Sequence, residues 1–187
     1  CACLFPLGAW ADDVAIQAGG LRITYVENGK QFNVEYKEGK AWKPVFVGSV
    51  PEASYDLDGK DGGQVSSASC AVADYRTRKV SDAFGRGTCH EFVFTSPANG
   101  DAVTLTQSFY VYDGKDYVLT DLALEGDASL RSNYLAPVAV SAAYDLYAPA
   151  QTNRMLRVPF DNDGFVRYHQ NRMRGDMISY EVSALYA

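Results

Sequence analysis

The sequence predicts an all-β chain folded as an antiparallel β-sandwich, and three observations carry that prediction. Period-two alternation of apolar and polar residues recurs along the chain, while helical periodicity is nearly absent. The 13 tyrosines and 9 phenylalanines suit pleated, half-buried surfaces. Gly, Asp and Asn turns separate long runs of uneven spacing, which favours a sandwich over a regular barrel or a repeat.

Taken in order, the segment "CACLFPLGAWA" (1–11) is uncharged and mostly apolar. It ends in the A-x-A pattern Ala9-Trp10-Ala11 before Asp12-Asp13, as the end of a secretory signal peptide does. The expectation is a signal-peptide remnant over 1–11 and an exported protein, periplasmic or extracellular. A short buried first strand and a lipid-anchored Cys1 or Cys3 are the alternatives. Next, "LRITYVENGKQFNVEY" reads as two strands joined at Asn28-Gly29, a strong hairpin signal. Residues 41–47 give another strand. The polar stretch "PEASYDLDGKDGGQ" (51–64) reads as a surface loop. Strands are expected over 64–75 and 88–95, with "FGRGT" (84–88) as a bulge or tight bend between strands.

The run "AVTLTQSFYVY" sets Val103, Leu105, Phe109 and Val111 against Thr104, Thr106 and Ser108. The turn "DGKD" (113–116) follows, and the return run places Val118, Thr120, Leu122 and Leu124 on one face. Further strands are expected over 134–147 and 178–186. The last run alternates up to Ala187 without a closing turn, so both ends read as cut from a longer exported protein.

Composition narrows the function. At 187 residues, 47% hydrophobic and 21% charged, the chain can bury one substantial core. A net charge of −6 argues against nucleic acid and gives no pull toward anionic lipid. No apolar run is long enough to span a membrane. Cys70 and Cys89 sit in expected strands; a disulfide between them would contribute about 3 kcal/mol, and two buried thiols are the alternative. With only His90 and His169, and no C-x-x-C pair, a structural zinc site is not expected. No cofactor is expected.

The densest polar turn is "RVPFDNDGFVRY" (157–168), with Asp161, Asn162 and Asp163 between aromatics. A calcium loop would need its glycine at position 6 and Glu at position 12. Counted from Asp161, Gly164 falls at position 4 and Arg172 at position 12, so that pattern fails. Counting from Asp56 fails as well. Asp161 and Asp163 lie too close on one turn to flank a glycosidic bond. They can accept hydrogen bonds from sugar hydroxyls beside aromatic faces; an ordinary turn with Arg167 in a surface ion pair is the alternative. Cys89 and His90, as strand neighbours, point to opposite faces and do not make a nucleophile and base. G-x-S-x-G, H-E-x-x-H and Walker patterns are absent from the sequence.

Several stretches together resemble the N-terminal domain of bacterial α-galactosidase-like glycoside hydrolases, of the family 36 and raffinose-synthase type in clan D. They are "SDAFGRGT" (81–88), "VTLTQSFYVYDGKDYVLTDLAL" (103–124), "SNYLAPV" (132–138), "RVPFDNDGFVRY" and "SYEVSALY". The resemblance covers most of 12–187 and rests on the order and character of segments. It implies a galactose-mutarotase-like β-supersandwich that precedes a catalytic (β/α)8 barrel. The two catalytic aspartates would lie in that barrel, beyond Ala187, so the chain by itself would be inactive. It also implies that Asp161, Asn162, Asp163 and Arg167 contact the sugar or the barrel at the rim of the pocket. A stand-alone carbohydrate-binding module, stacking sugars on Trp42 or an exposed tyrosine, and a cell-surface structural domain are the rival expectations.

Overall fold

The computed structural model of the chain describes residues 13–57, 60–96, 103–126, 129–140, 154–158, 169–172 and 182–186. The described residues form thirteen β-strands and one 3₁₀ turn (Ser67–Ser69), with no α-helix among them. They fall into two units, 1–143 and 144–187.

In the first unit, a six-stranded antiparallel sheet runs in the order β1 (Val14–Ala18), β2 (Leu21–Val26), β3 (Gln31–Glu38), β4 (Ala41–Leu57), β10 (Leu130–Ala139), with β5 (Lys60–Ser66) also paired to β4. A four-stranded meander packs against it: β6 (Val72–Asp82), β7 (Gly85–Thr95), β8 (Val103–Tyr112) and β9 (Val118–Gly126). The second unit is a three-stranded antiparallel sheet in the order β12 (His169–Arg172), β11 (Arg154–Val158), β13 (Val182–Tyr186). The chain is therefore an all-β sandwich protein, as its alternation predicts.

Alternation builds the core directly. Ile16, Ile23, Tyr25, Phe32, Ala53 and Val65 from the first sheet meet Phe92, Phe94, Val103, Leu105 and Phe109 from the second. The centre is aromatic: Tyr25 lies 4.9 Å from Phe92, and Phe32 sits edge-on to Phe92 at 5.0 Å and to Phe109 at 5.1 Å. Offset and edge-to-face contacts of this kind favour one interlocked arrangement of the two sheets. Gln107 holds the core position between Leu105 and Phe109 and is fully buried. Its amide donates to Thr120 Oγ1 and to the Asp121 carbonyl, which fastens β8 to β9.

Four expectations are corrected. Residues 51–57 and 60–66 are strands, not a surface loop: Ala53 and Val65 point into the core, while Ser54 and Gln64 point outward. The expected strand over 64–75 is interrupted by the 3₁₀ turn, which leaves Cys70 between elements. The β2–β3 loop has four residues, 27–30, because Val26 pairs with Gln31. Its positive φ values fall at Gly29 (105°) and Lys30 (47°), one step beyond the Asn28-Gly29 pair. The expected strand over 134–147 starts earlier, at Leu130. Cys70 and Cys89 are both buried and free, which decides for two thiols.

Candidate functional site

Asp161, Asn162, Asp163 and Arg167 lie outside the described residues. Trp42 is described, and the Arg22 guanidinium lies over one face of its ring at 4.5 Å, so a sugar cannot stack on that face. Cys89 and His90 point to opposite faces of β7, as expected. The Cys89 thiol is pushed up by burial, so it stays protonated and poorly nucleophilic at neutral pH.

The richest constellation lies on the face of the four-stranded sheet that points away from the core. On β7, Phe92 and Phe94 point inward, so Cys89 and Glu91 point outward. Register places Arg76 opposite Glu91, Glu91 opposite Ser108, and Ser108 opposite Asp121. Arg78 lies opposite Cys89, and Cys89 opposite Tyr110. Five strongly polar side chains thus share one face of four adjacent strands.

Their hydrogen bonds form a chain. Arg76 Nε donates to Glu91 Oε2 at 2.7 Å, and Arg78 Nε donates to Glu91 Oε1 at 2.8 Å. Arg78 Nη2 reaches the Tyr110 hydroxyl at 3.5 Å, and that hydroxyl donates to Asp121 Oδ2 at 2.7 Å. Glu91 is only 8% exposed, beneath the arginine stems. Burial alone would raise its carboxyl, but the hydrogen bonds from Arg78 and Arg76 outweigh that and hold it below its ordinary value. The hydrogen bond to Asp121, followed by burial, pushes the Tyr110 hydroxyl up to about 12.

Aromatics complete the face at its hairpin end. Phe84 (54% exposed) and Tyr117 (38% exposed) flank Tyr112, with ring centroids 5.8 and 6.4 Å from it. Asp82 organises this corner: its Oδ1 accepts from the Phe84 amide at 2.9 Å, and its Oδ2 accepts from the Tyr112 hydroxyl at 2.8 Å. Between corner and ladder lies Gly87, opposite Tyr112.

Chemically, this arrangement suits binding. Glu91 is ionised with each oxygen occupied, Tyr110 is protonated, and Cys89 is a thiol. None is poised to take a proton from a substrate or to attack one. By contrast, the Arg76 and Arg78 side chains, held through Nε, are 61% and 51% exposed, and exposed aromatic rings lie on the same surface. Guanidinium and carboxylate groups pair with hydroxyls, while ring faces accept the C–H side of a sugar. Among the described residues, no three His, Cys, Asp or Glu side chains gather as metal ligands. No described helix is long and apolar enough to cross a membrane.

Sequence reasoning passed over this ladder. Arg76 and Arg78, two apart in "DYRTRK", share a strand face, and that spacing was the available signal. Their partner Glu91 is identified only by the β6–β7 register. No protein-family model, curated protein or solved structure matches the chain.

Proposed function

We propose that this chain is a non-catalytic, saccharide-binding β-sandwich domain of an exported α-galactosidase-like glycoside hydrolase. In this reading it is the N-terminal supersandwich of an enzyme of the family 36 or raffinose-synthase type. It buttresses a catalytic barrel encoded beyond Ala187 and adds sugar contacts to it. The observation that carries the binding role is the outward face of β6–β9, where Arg76, Arg78, Glu91, Tyr110 and Asp121 are fixed beside the exposed rings of Phe84 and Tyr117. Side chains already fixed by one another lose little freedom when a ligand arrives, which favours recognition of a weakly binding neutral sugar. The sandwich fold and the segment resemblance support the parent enzyme.

Titration of the purified chain with methyl α-galactoside and raffinose, followed by NMR, tests the reading. Saturable shifts are expected in the amides of Phe84, Arg78 and Tyr110, weakened about tenfold in Phe84→Ala. The same preparation is expected to leave nitrophenyl α-galactoside uncleaved. Hydrolysis by the chain itself, or no shift on that face at saturating sugar, overturns it. In the gene, an alternating βα pattern with aspartates at strand ends after Ala187 supports the parent enzyme. A Ser/Thr/Pro linker there points instead to a stand-alone binding module.

A further inference from the structure

A second polar surface lies on the other sheet, where β5, β4 and β10 run side by side. Its floor is the outward half of β4. Ala53 is 1% exposed and belongs to the core, so Glu52, Ser54 and Asp56 point the other way. An open groove of about 380 Å³ runs along this ladder, walled by Gln64 of β5 and by Arg131, Ser132 and Asn133 of β10. A smaller hollow adjoins it at Gln64, lined by Glu52 and Tyr134.

The local backbone explains why these groups meet there. Arg131 pairs with Asp56 and Tyr134 with Ser54, so β10 spends one more residue than β4 over the same stretch. That extra residue is a β-bulge, a device that re-aims side chains and is enriched beside binding sites. Ser132 steadies it: its hydroxyl donates to the Tyr134 carbonyl at 3.0 Å and accepts from the Tyr134 amide at 3.2 Å. The bulge brings Asn133 Oδ1 within 2.8 Å of Ser54 Oγ, which donates to it. That bond fixes the amide's orientation and leaves both its protons to donate. Next to it, the Tyr134 hydroxyl donates to Glu52 Oε1 at 2.6 Å, while its ring stays 44% exposed.

From this geometry we infer that the β5–β4–β10 groove is a second saccharide site, separate from the face of the four-stranded sheet. A pyranose ring carries adjacent hydroxyls, each both donor and acceptor, around an apolar C–H face. The groove supplies donors (Asn133, Gln64, Arg131) and acceptors (Asp56, Gln64), and the hollow adjoining it at Gln64 adds an acceptor (Glu52) and one exposed ring (Tyr134). Guanidinium and carboxylates stand on it together, so it offers no single-sign field for an ionic ligand. The ligand class is a neutral hexopyranoside or its oligomer.

The test is an NMR titration of the whole chain with methyl α-glucopyranoside, methyl α-galactopyranoside and a neutral tetrasaccharide of each series. The side-chain amides of Gln64 and Asn133 are expected to shift saturably with at least one probe. The response should change little between low and high salt, since the ligand is uncharged. Gln64→Ala/Asn133→Ala, at two exposed or half-exposed positions, is expected to keep the melting transition and weaken groove binding about tenfold. Phe84→Ala, on the other sheet, should leave groove binding unchanged. Groove amides that stay still at saturating sugar overturn the inference. So does a double variant that binds as the wild type does, or loss of the groove response in Phe84→Ala. Groove shifts without shifts at Phe84 and Tyr110 would sink the proposed face on the other sheet and leave this site standing.

Discussion

His90 and Glu91, neighbours on β7, divide the electrostatics of the four-stranded sheet between its two faces. His90 turns toward the core side, where its Nδ1 lies 2.7 Å from the Tyr75 hydroxyl, with the rings stacked at 6.0 Å. Burial, and then the charge of Lys79, lower its pKa. The imidazole is therefore neutral, and its Nδ1 shares one hydrogen bond with the Tyr75 hydroxyl. Glu91 turns outward and is held below its usual value by two arginines, against the pull of burial. Both folded pKa values are depressed, so the unfolded chain takes up each proton first as pH falls. The stability that each group contributes is full above its unfolded value, about 6.5 for His and about 4.3 for Glu, and is lost below it. The urea midpoint is therefore expected to decline from about pH 7 to pH 5 through His90, then further toward about pH 3 with Glu91 contributing. His90→Gln, which cannot titrate, should flatten the first step and keep the second. A wild-type midpoint that does not move across the first interval would contradict this assignment.

At the scale of elements, β7–β8 pairing depends on a residue with no side chain. A Cβ built on Gly87 would lie 2.1 Å from the Val111 carbonyl oxygen and 2.8 Å from Tyr112 Cα. Both are backbone atoms of the partner strand and cannot swing aside. Gly87→Ala must push the strands apart where Tyr112 and the aromatic corner are anchored. The expected cost is roughly 1–3 kcal/mol, as for other overpacked sites. Hydrogen exchange should quicken first at the β7 and β8 amides near the hairpin end, with β2 and β3 unchanged. Uniform acceleration would mean that the glycine does not act locally.

The same pair of strands shows what the sequence discloses and what it withholds. Val103, Leu105 and Phe109 could be assigned to one buried face because strand periodicity is local. Gln107 breaks that pattern and is buried nevertheless, its amide nitrogen donating to β9 rather than to water. The stretch 51–64 misled for a related reason. Its outward residues are polar, yet Pro51, Ala53 and Tyr55 turn inward, and Val65 opposite Ala53 continues the buried face once β10 and β5 flank β4. The Arg76–Glu91–Arg78 ladder was hidden more deeply, because register is a long-range property and each residue alone reads as an ordinary surface charge. The candidate turn at 161–163 was conspicuous through composition alone, which says what a loop can do but not where it sits.

For the first unit as a whole, the question is whether its two sheets are one cooperative body. Phe92 answers it best. Its ring, 1% exposed, lies 4.9 Å from Tyr25, 5.0 Å from Phe32, 4.8 Å from Tyr75 and 6.1 Å from Phe109, so it touches both sheets at once. Among the described residues of this unit, neither sheet has another layer on its inner face. Each owes the burial of its apolar side to the other, and removing the shared ring should weaken both equally. Phe92→Ala is expected to cost about 3–5 kcal/mol, the range for a large aromatic replaced by a cavity. Tyrosine fluorescence and far-UV circular dichroism should fall together at a lower urea concentration, with residues of β2 and β8 losing exchange protection at the same free energy. Two separated transitions, with β1–β3 surviving after β6–β9 have opened, would show that the sheets are stable apart. The outward faces could then not rely on a common rigid support to hold their polar ladders in place.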